Sequence, residues 1–180
     1  MNQNFFKLPP NLPVPIDDGE GDCLLGKSLP HVILIATSGK QINLAKIKGK
    51  TVFYCYPMTG QSGVKLPKGW DLIPGARGCT PQSCSFRDHY QELQALDAQV
   101  YGISTQETSA QLEAQQRLHL PFELLSDLDL KLAKALQLPT FKVENKQLLK
   151  RLTFITQAGT ITRACHQLSR IKRNKKEKQQ

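Results

Sequence analysis

The sequence predicts an α/β protein in which helices flank a central mixed sheet. Three observations carry that expectation. Thr51-Val-Phe-Tyr-Cys-Tyr56 is an unbroken β-branched and aromatic run, the pattern of a strand buried on both faces. Between Pro81 and Leu136, helical and strand patterns alternate, as they do when helices cover a sheet. Near the end, Leu148 to Thr156 and Thr160 to Ala164 flank the turn Gln157-Ala-Gly159, a closing hairpin.

Taken in order, Leu8-Pro-Pro-Asn-Leu-Pro-Val-Pro15 is a proline-stiffened extended arm, and Asp17 to Asp22 is a loop. His31 to Ala36 and Gln41 to Leu44 flank the turn Thr37-Ser-Gly-Lys40 as a small hairpin. The buried strand 51–56 stops at Pro57, and a Gly- and Pro-rich loop runs to Gly78. Loops of that length in compact domains usually carry function. From Pro81 a helix places Phe86, Tyr90, Leu93 and Leu96 on one face. Gln99 to Ser104 is the next strand. A helix over Thr108 to His119 has a thin stripe of Leu112 and Leu118. Phe122 to Leu125 is a short strand, and Leu128, Leu132, Ala135 and Leu136 mark a helix ended by Pro139. No internal repeat is present.

A chain of 180 residues with 39% hydrophobic and 22% charged residues fits one globular domain. No apolar run approaches the ~20 residues that span a bilayer, so no membrane partner is expected. Met1 to Pro15 lacks a charged-then-apolar signal pattern, and five cysteines make an odd count. Both features favour a reducing compartment, the cytoplasm, over secretion. Much of the formal charge of +9 sits in the tail, on Arg170, Lys172, Arg173, Lys175, Lys176 and Lys178. No aromatic residues interleave there to stack bases, so nucleic acid is not the expected partner. Three segments are expected: an extended arm over 1–28, one domain over 29–168, and a disordered basic tail over 169–180. With Ile171 as its one large apolar residue, that tail cannot bury a helix face, which would leave part of the sheet uncovered.

The chemistry concentrates in Pro74-Gly-Ala-Arg-Gly-Cys-Thr-Pro-Gln-Ser-Cys-Ser-Phe-Arg-Asp88. Thr80 reads as a helix N-cap and Pro81 as the first helical residue. Cys79 then lies just outside the helix and Cys84 in its first turns. Unpaired N–H groups and the positive end of the helix dipole favour a thiolate at such a place. A zinc site is not signalled, because C-x4-C lacks a second ligand pair and only His89 follows at helical reach. Cys55, in the buried strand, reads as a small hydrophobe. His31, His119, His166, Cys23 and Cys165 stand alone.

Gly78-Cys-Thr-x3-Cys84-x-Phe-Arg-Asp88, followed by Tyr90, resembles the active-site stretch of the peroxiredoxins, most closely their Q or bacterioferritin-comigratory subgroup. Leu120-Pro-Phe-Glu-Leu-Leu-Ser-Asp127 and Lys150-Arg-Leu-Thr-Phe154 are similar to further segments of that family, and the likeness runs from about residue 29 to about residue 162. The resemblance implies a thioredoxin-like fold, reduction of hydrogen peroxide and organic hydroperoxides, and no metal or cofactor. It further implies thioredoxin or a similar dithiol as reductant, and a monomer or weak homodimer. Cys79 matches the peroxidatic cysteine, Cys84 the resolving cysteine and Arg151 the active-site arginine. The family's Pro-x3-Thr-x2-Cys motif does not transfer cleanly. Ala76 and Leu72 stand where its Thr and Pro belong, and residues 60–73 read as an insertion. Thr59 or Thr80 is left to supply the hydroxyl, and Pro57 or Pro74 to shield the thiol. A second register, Pro74-Gly-Ala…Thr80-Pro…Cys84, echoes another subgroup and would make Cys84 the attacking thiol. The ungapped Gly78-Cys-Thr80 and Ser85-Phe-Arg-Asp88 favour Cys79.

Two rival classes use the same cysteines. A thioredoxin-type disulfide oxidoreductase prefers C-x2-C, which is absent. A redox-switched binding protein would use the disulfide as its signal and the basic tail as its anchor.

Overall fold

A computed structural model of the protein describes residues 11–13, 19 and 21–166. The expectations for the tail over 169–180, for the sheet face it leaves uncovered, and for most of the arm over 1–28 fall outside those residues.

The α/β expectation holds. Among the described residues, seven strands form one mixed sheet: β1 (Ile33–Ala36), β2 (Gln41–Asn43), β3 (Lys50–Cys55), β4 (Ala98–Ser104), β5 (Leu124–Ser126), β8 (Leu152–Gln157) and β9 (Thr160–His166). Their spatial order is β2-β1-β5-β4-β3-β8-β9. β3, β4 and β5 run parallel, and β8 lies antiparallel to β3. β3 is central, and from Thr51 to Cys55 every residue is buried, which explains its lack of alternation. Both expected hairpins form, β1 with β2 and β8 with β9.

The strand expected over 148–156 is two strands. β6 (Thr140–Val143) and β7 (Lys146–Leu149) pair in a separate two-stranded sheet, and the chain enters β8 only after Lys150 and Arg151. The hairpin turns at Glu144, whose φ of 51° lies in the left-handed region.

Among the described residues four α-helices flank the sheet: α1 (Cys79–Asp88), α2 (Tyr90–Ala95), α3 (Thr108–Arg117) and α4 (Lys131–Leu136). The single helix expected from Pro81 breaks at His89, and Leu96 is exposed rather than packed. The buried face of α3 is Gln111 and Ala114, extended by Leu118, instead of a leucine stripe. Gln111 donates to Tyr56 Oη, Ser104 Oγ and the Leu125 carbonyl, so a polar side chain fastens this helix. In α4 the buried residues are Leu132, Ala133 and Leu136, while Leu128 and Ala135 are exposed. The Asp127 carboxylate caps this short helix by accepting from Leu132 N and Ala133 N.

Two apolar cores sandwich the sheet. Leu34, Phe53, Cys55, Ile103, Leu125 and Phe154 face one side, with Leu132 and Leu136 of α4 and Leu24 from a turn at Asp22–Leu24. Val52, Tyr54, Tyr56, Val100 and Leu124 face the other, with Cys79, Cys84 and Phe86 of α1. A third cluster joins Trp70 and Ala76 of the long loop to Val143 and Leu148 of the β6–β7 hairpin.

Gly102 shows how tightly β4 meets this second core. A Cβ there would lie 2.6 Å from Tyr54 Cζ, Tyr54 Oη and Leu124 Cδ2. Gly102→Ala therefore overpacks the core, at a cost of about 1–3 kcal/mol. Thermal unfolding should shift down by roughly 2–4 °C for each kcal/mol. An unchanged Tm would show that the Tyr54 ring can move aside.

Candidate active site

Parallel strands of an α/β sheet converge their carboxyl ends on one edge, where such folds place their sites. Here β3 leaves that edge into the long loop, and the loop returns at Gly78 to start α1. The helix begins two residues before the expected position. Gly78, not Thr80, is the N-cap, with φ 97° in the left-handed region, a backbone that glycine adopts without Cβ strain. Cys79 is thus the first helical residue, Thr80 the second and Pro81 the third, where its missing N–H leaves nothing unpaired. The first helical bond runs from Gln82 N to Gly78 O, at 3.0 Å.

Arg151 reaches this point from the opposite direction. Cys55 at the end of β3 pairs with Leu152 at the start of β8, so the residue before Leu152 sits at the same sheet edge. Its side chain is 5% exposed. Nη2 donates to Cys79 Sγ at 3.0 Å and to the Arg77 carbonyl at 2.8 Å. Nε donates to the Gly75 carbonyl at 2.6 Å, and Nη1 donates to Gln82 Oε1. Every one of these acceptors is neutral unless the sulfur is ionised. Among the described residues no carboxylate pairs with this guanidinium. The Cys79 thiol itself donates to the Ala76 carbonyl at 3.6 Å.

Cys79 is 3% exposed, and a pocket of about 20 Å³ opens beside it. Met58, Leu66, Trp70 and Ala76 supply its apolar walls, together with Gly60, Arg77, Gly78 and Thr80. Thr80 is therefore at the pocket. Thr59 does not line it: its N and Oγ1 donate to Gln106 Oε1 at 2.8 and 3.2 Å, and Gln106 Nε2 returns a bond to Thr59 O. Pro57 is buried and Pro74 exposed, and neither lines the pocket.

Cys84 lies further along α1, 8% exposed, and burial pushes its thiol up while Arg87 pulls the other way. Both cysteines are free thiols. Between them Ser83 Oγ accepts from Tyr54 Oη at 3.1 Å. Burial holds the Tyr54 phenol well above its ordinary value, so it stays a neutral donor. His89 turns its ring back on the Ser85 carbonyl at 2.9 Å. Sequence reasoning reached Cys79, Cys84, Thr80 and Arg151 but not Gln82, Met58, Leu66, Trp70 or Gln106. Gln82 was visible as the residue one helical turn after Cys79, on the same face.

Residues 72–164 match the profile of the AhpC/TSA family. A chloroplastic peroxiredoxin Q from Suaeda salsa is 37% identical over 103 residues, covering 57% of this chain and 41% of that protein. Peroxiredoxin Bcp from Bacillus subtilis is 32% identical over 112 residues, 62% of each. The chain thus spans about half the length of the curated relatives it matches. Peroxidoxin BcpB from Mycobacterium tuberculosis superimposes with a TM-score of 0.61 at 22% identity, over 79% of this chain and 84% of that one. That likeness establishes the thioredoxin-like fold.

Gln82→Leu removes the one side-chain acceptor of Arg151 other than sulfur. A buried charged donor that loses its partner forfeits about 1.5–3 kcal/mol of hydrogen bonding. The guanidinium should then sit less firmly against Cys79. Alkylation of Cys79 by iodoacetamide should slow several-fold, read by mass spectrometry, with Cys84 labelling as the internal control. A lowered Tm with an unchanged Cys79 rate would make Gln82 merely structural.

Proposed function

The chain belongs to the AhpC/TSA family, and on that footing we propose that it is a thiol peroxidase of the peroxiredoxin Q kind. It reduces hydrogen peroxide and organic hydroperoxides through Cys79. The observation that carries this reading is the contact of Arg151 Nη2 with Cys79 Sγ at the first turn of a helix, inside an apolar pocket.

The Cys79 thiolate attacks the terminal oxygen of the hydroperoxide. An S–O bond forms, the O–O bond breaks, and the alkoxide or hydroxide leaves with a proton as alcohol or water. Negative charge passes from sulfur to oxygen, so donors near both ends are needed. Arg151 is one, the free N–H groups of the first turn of α1 are others, and the Thr80 hydroxyl is placed at the same pocket. Thr59 has a different part: its three bonds with Gln106 hold the loop wall carrying Met58 and Gly60.

The sulfenic acid left on Cys79 condenses with Cys84. An S–S bond forms, the S–O bond breaks, and the hydroxide takes the Cys84 proton and leaves as water. Two residues five apart on one helix are separated by about 7–8 Å along its axis. Disulfides need Cα atoms within about 7 Å. The first turns of α1 must therefore unwind before the disulfide closes, which also frees Cys84 from its burial. An external dithiol, thioredoxin or a similar protein in a reducing compartment such as the cytoplasm, then returns both thiols.

Peroxide consumption coupled to thioredoxin, its reductase and NADPH tests the reading against its rivals. A disulfide oxidoreductase or a redox-switched binding protein would not turn over peroxide. Cys79→Ser should abolish consumption, whereas Cys84→Ser should yield one sulfenate per chain in a single turnover. The reverse result would make Cys84 the attacking thiol.

Arg151→Lys tests geometry apart from charge, because a lysine presents one point where the guanidinium presents a fork. Second-order reaction with peroxide should fall at least ~10-fold, roughly 1.4 kcal/mol of barrier, with the fold retained. Equal rates would remove Arg151 from the chemistry.

A further inference from the structure

Cys79 and Cys84 face different ways on α1. Successive helical residues turn by about 100°, so side chains five apart point about 140° away from each other. A disulfide between them therefore requires the backbone from Thr80 to Ser83 to leave its helical form. Ser83 is the last residue of that stretch, next to Cys84, and its side chain is fully buried. Its Oγ accepts from Tyr54 Oη at 3.1 Å, and Tyr54 is fully buried as well. Tyr54 belongs to β3, which is paired on both edges, with β4 and with β8. One hydrogen bond thus fastens the segment between the two cysteines to the centre of the sheet.

The Tyr54 ring cannot follow the serine. It stacks on Phe86 at 4.5 Å and meets Phe122 edge-on at 6.0 Å. A Cβ at Gly102 would lie only 2.6 Å from its Oη, so the ring has no slack on the sheet side. Ser83 is the one hydrogen-bond partner of this phenol among the described residues. Unwinding of α1 at Ser83 leaves a buried hydroxyl unpaired, a penalty worth about 5- to 150-fold in an equilibrium.

We propose that the Tyr54–Ser83 hydrogen bond is a clasp that sets how long the Cys79 sulfenate waits for Cys84, and so the peroxide concentration at which Cys79 is overoxidised. The proposal deepens the thiol peroxidase reading and rests on it for the sulfenate, but not for the clasp. The sulfenate has two fates. It condenses with the Cys84 thiol, forming the S–S bond and releasing water, or it takes one oxygen from a second hydrogen peroxide, giving a sulfinate and water. The first is unimolecular and requires the clasp to open. The second needs no opening and grows with peroxide. Tyr54 and Ser83 touch neither substrate nor the reacting atoms, so they are positioning residues.

Tyr54→Phe keeps the ring and its stacking, and Ser83→Ala keeps the helix. Alanine is the better helix former, so an ordinary helical role for Ser83 would make Ser83→Ala slow the opening. A clasp requires the opposite sign. Quenched-flow mass spectrometry after one equivalent of hydrogen peroxide should show disulfide closure at least ~5-fold faster in each variant. The double variant should be no faster than the singles, because both remove the same bond. The peroxide concentration that converts half of Cys79 to sulfinate should rise by the same factor, while the second-order reaction of Cys79 with peroxide stays as in the parent protein. Unchanged or slower closure in both single variants, or additive effects in the double variant, overturns the proposal. Saturating diamide, which is reduced to its hydrazine as it oxidises a dithiol, closes the same disulfide without peroxide, and the variants should again be faster. Faster closure with diamide but no sulfenate from peroxide would overturn the peroxidase reading and leave the clasp standing.

Discussion

The contact between Arg151 and Cys79 is the constraint on which the site depends. One buried guanidinium ties the start of β8 to a loop end and a helix start that lie 69 to 76 positions earlier. It holds the loop at the Gly75 and Arg77 carbonyls, the first turn of α1 at Cys79 and Gln82, and its own strand at the start of β8. None of these contacts would form if β8 slipped by one residue against β3, because the side chain would then point to the other face. The pairing of Cys55 with Leu152 is therefore a requirement of the site as well as of the sheet. Burial of an arginine without a carboxylate is costly unless its donors are all met. The loop carbonyls, Gln82 and the Cys79 sulfur together meet that demand.

The proposed cycle places opposite demands on α1 in its reactive and disulfide steps. A reactive Cys79 needs the first turn formed, so that its N–H groups point at the pocket. A disulfide with Cys84 needs that turn undone. The helix is built for this conflict. It is short, it breaks at His89, and it opens on a glycine with a left-handed backbone that can change without strain. Helices of this length are marginal alone and depend on tertiary contacts. Those contacts include Arg151 on Cys79 and Gln82, Tyr54 on Ser83, the stacking of Tyr54 with Phe86 at 4.5 Å, and Arg87 donating to the Leu118 carbonyl. Tyr54 packs against both Gly102 and Phe86, so the stiffness of the sheet is passed to the middle of the helix through one ring.

The sequence made some of this legible and hid the rest for identifiable reasons. β3 was readable because a strand buried on both faces needs no alternation. The cysteine helix was readable because Gly, Thr and Pro punctuate its start, but its first residue was misjudged. A left-handed glycine caps it through backbone geometry, while the expected Thr80 side chain is inside the helix. β6 was missed and β7 was merged with β8 into one strand, because the hairpin's residues are half-exposed and their burial does not alternate. Gln106 acts through a partner 47 positions away, a separation at which local pattern carries no information, while Gln82 shares a helix face with Cys79 but meets Arg151 from 69 positions away. The stripe on α3 was misread for a related reason: Gln111 is buried by hydrogen bonds that only the fold supplies.

The 60–73 insertion raises a last physical question, namely how a Gly- and Pro-rich loop comes to be ordered against the site. Ordering each residue costs roughly 1–2 kcal/mol of backbone entropy, so the loop needs apolar burial of its own. Trp70 provides it. The ring is 4% exposed and sits with Ala76, Val143 and Leu148, with Phe141, Met58, Leu66 and Ile73 around them. Residues of the loop and residues of the β6–β7 hairpin make this small core jointly. Arg117 adds a polar tie by donating to the Gly60 carbonyl at 2.8 Å. Loop and hairpin are thus one cooperative unit set beside the sheet, and the walls of the Cys79 pocket are that unit's surface. Its order and the enclosure of the thiol must rise and fall together, which makes the packing of Trp70 a condition of a dry site rather than a remote detail of the fold.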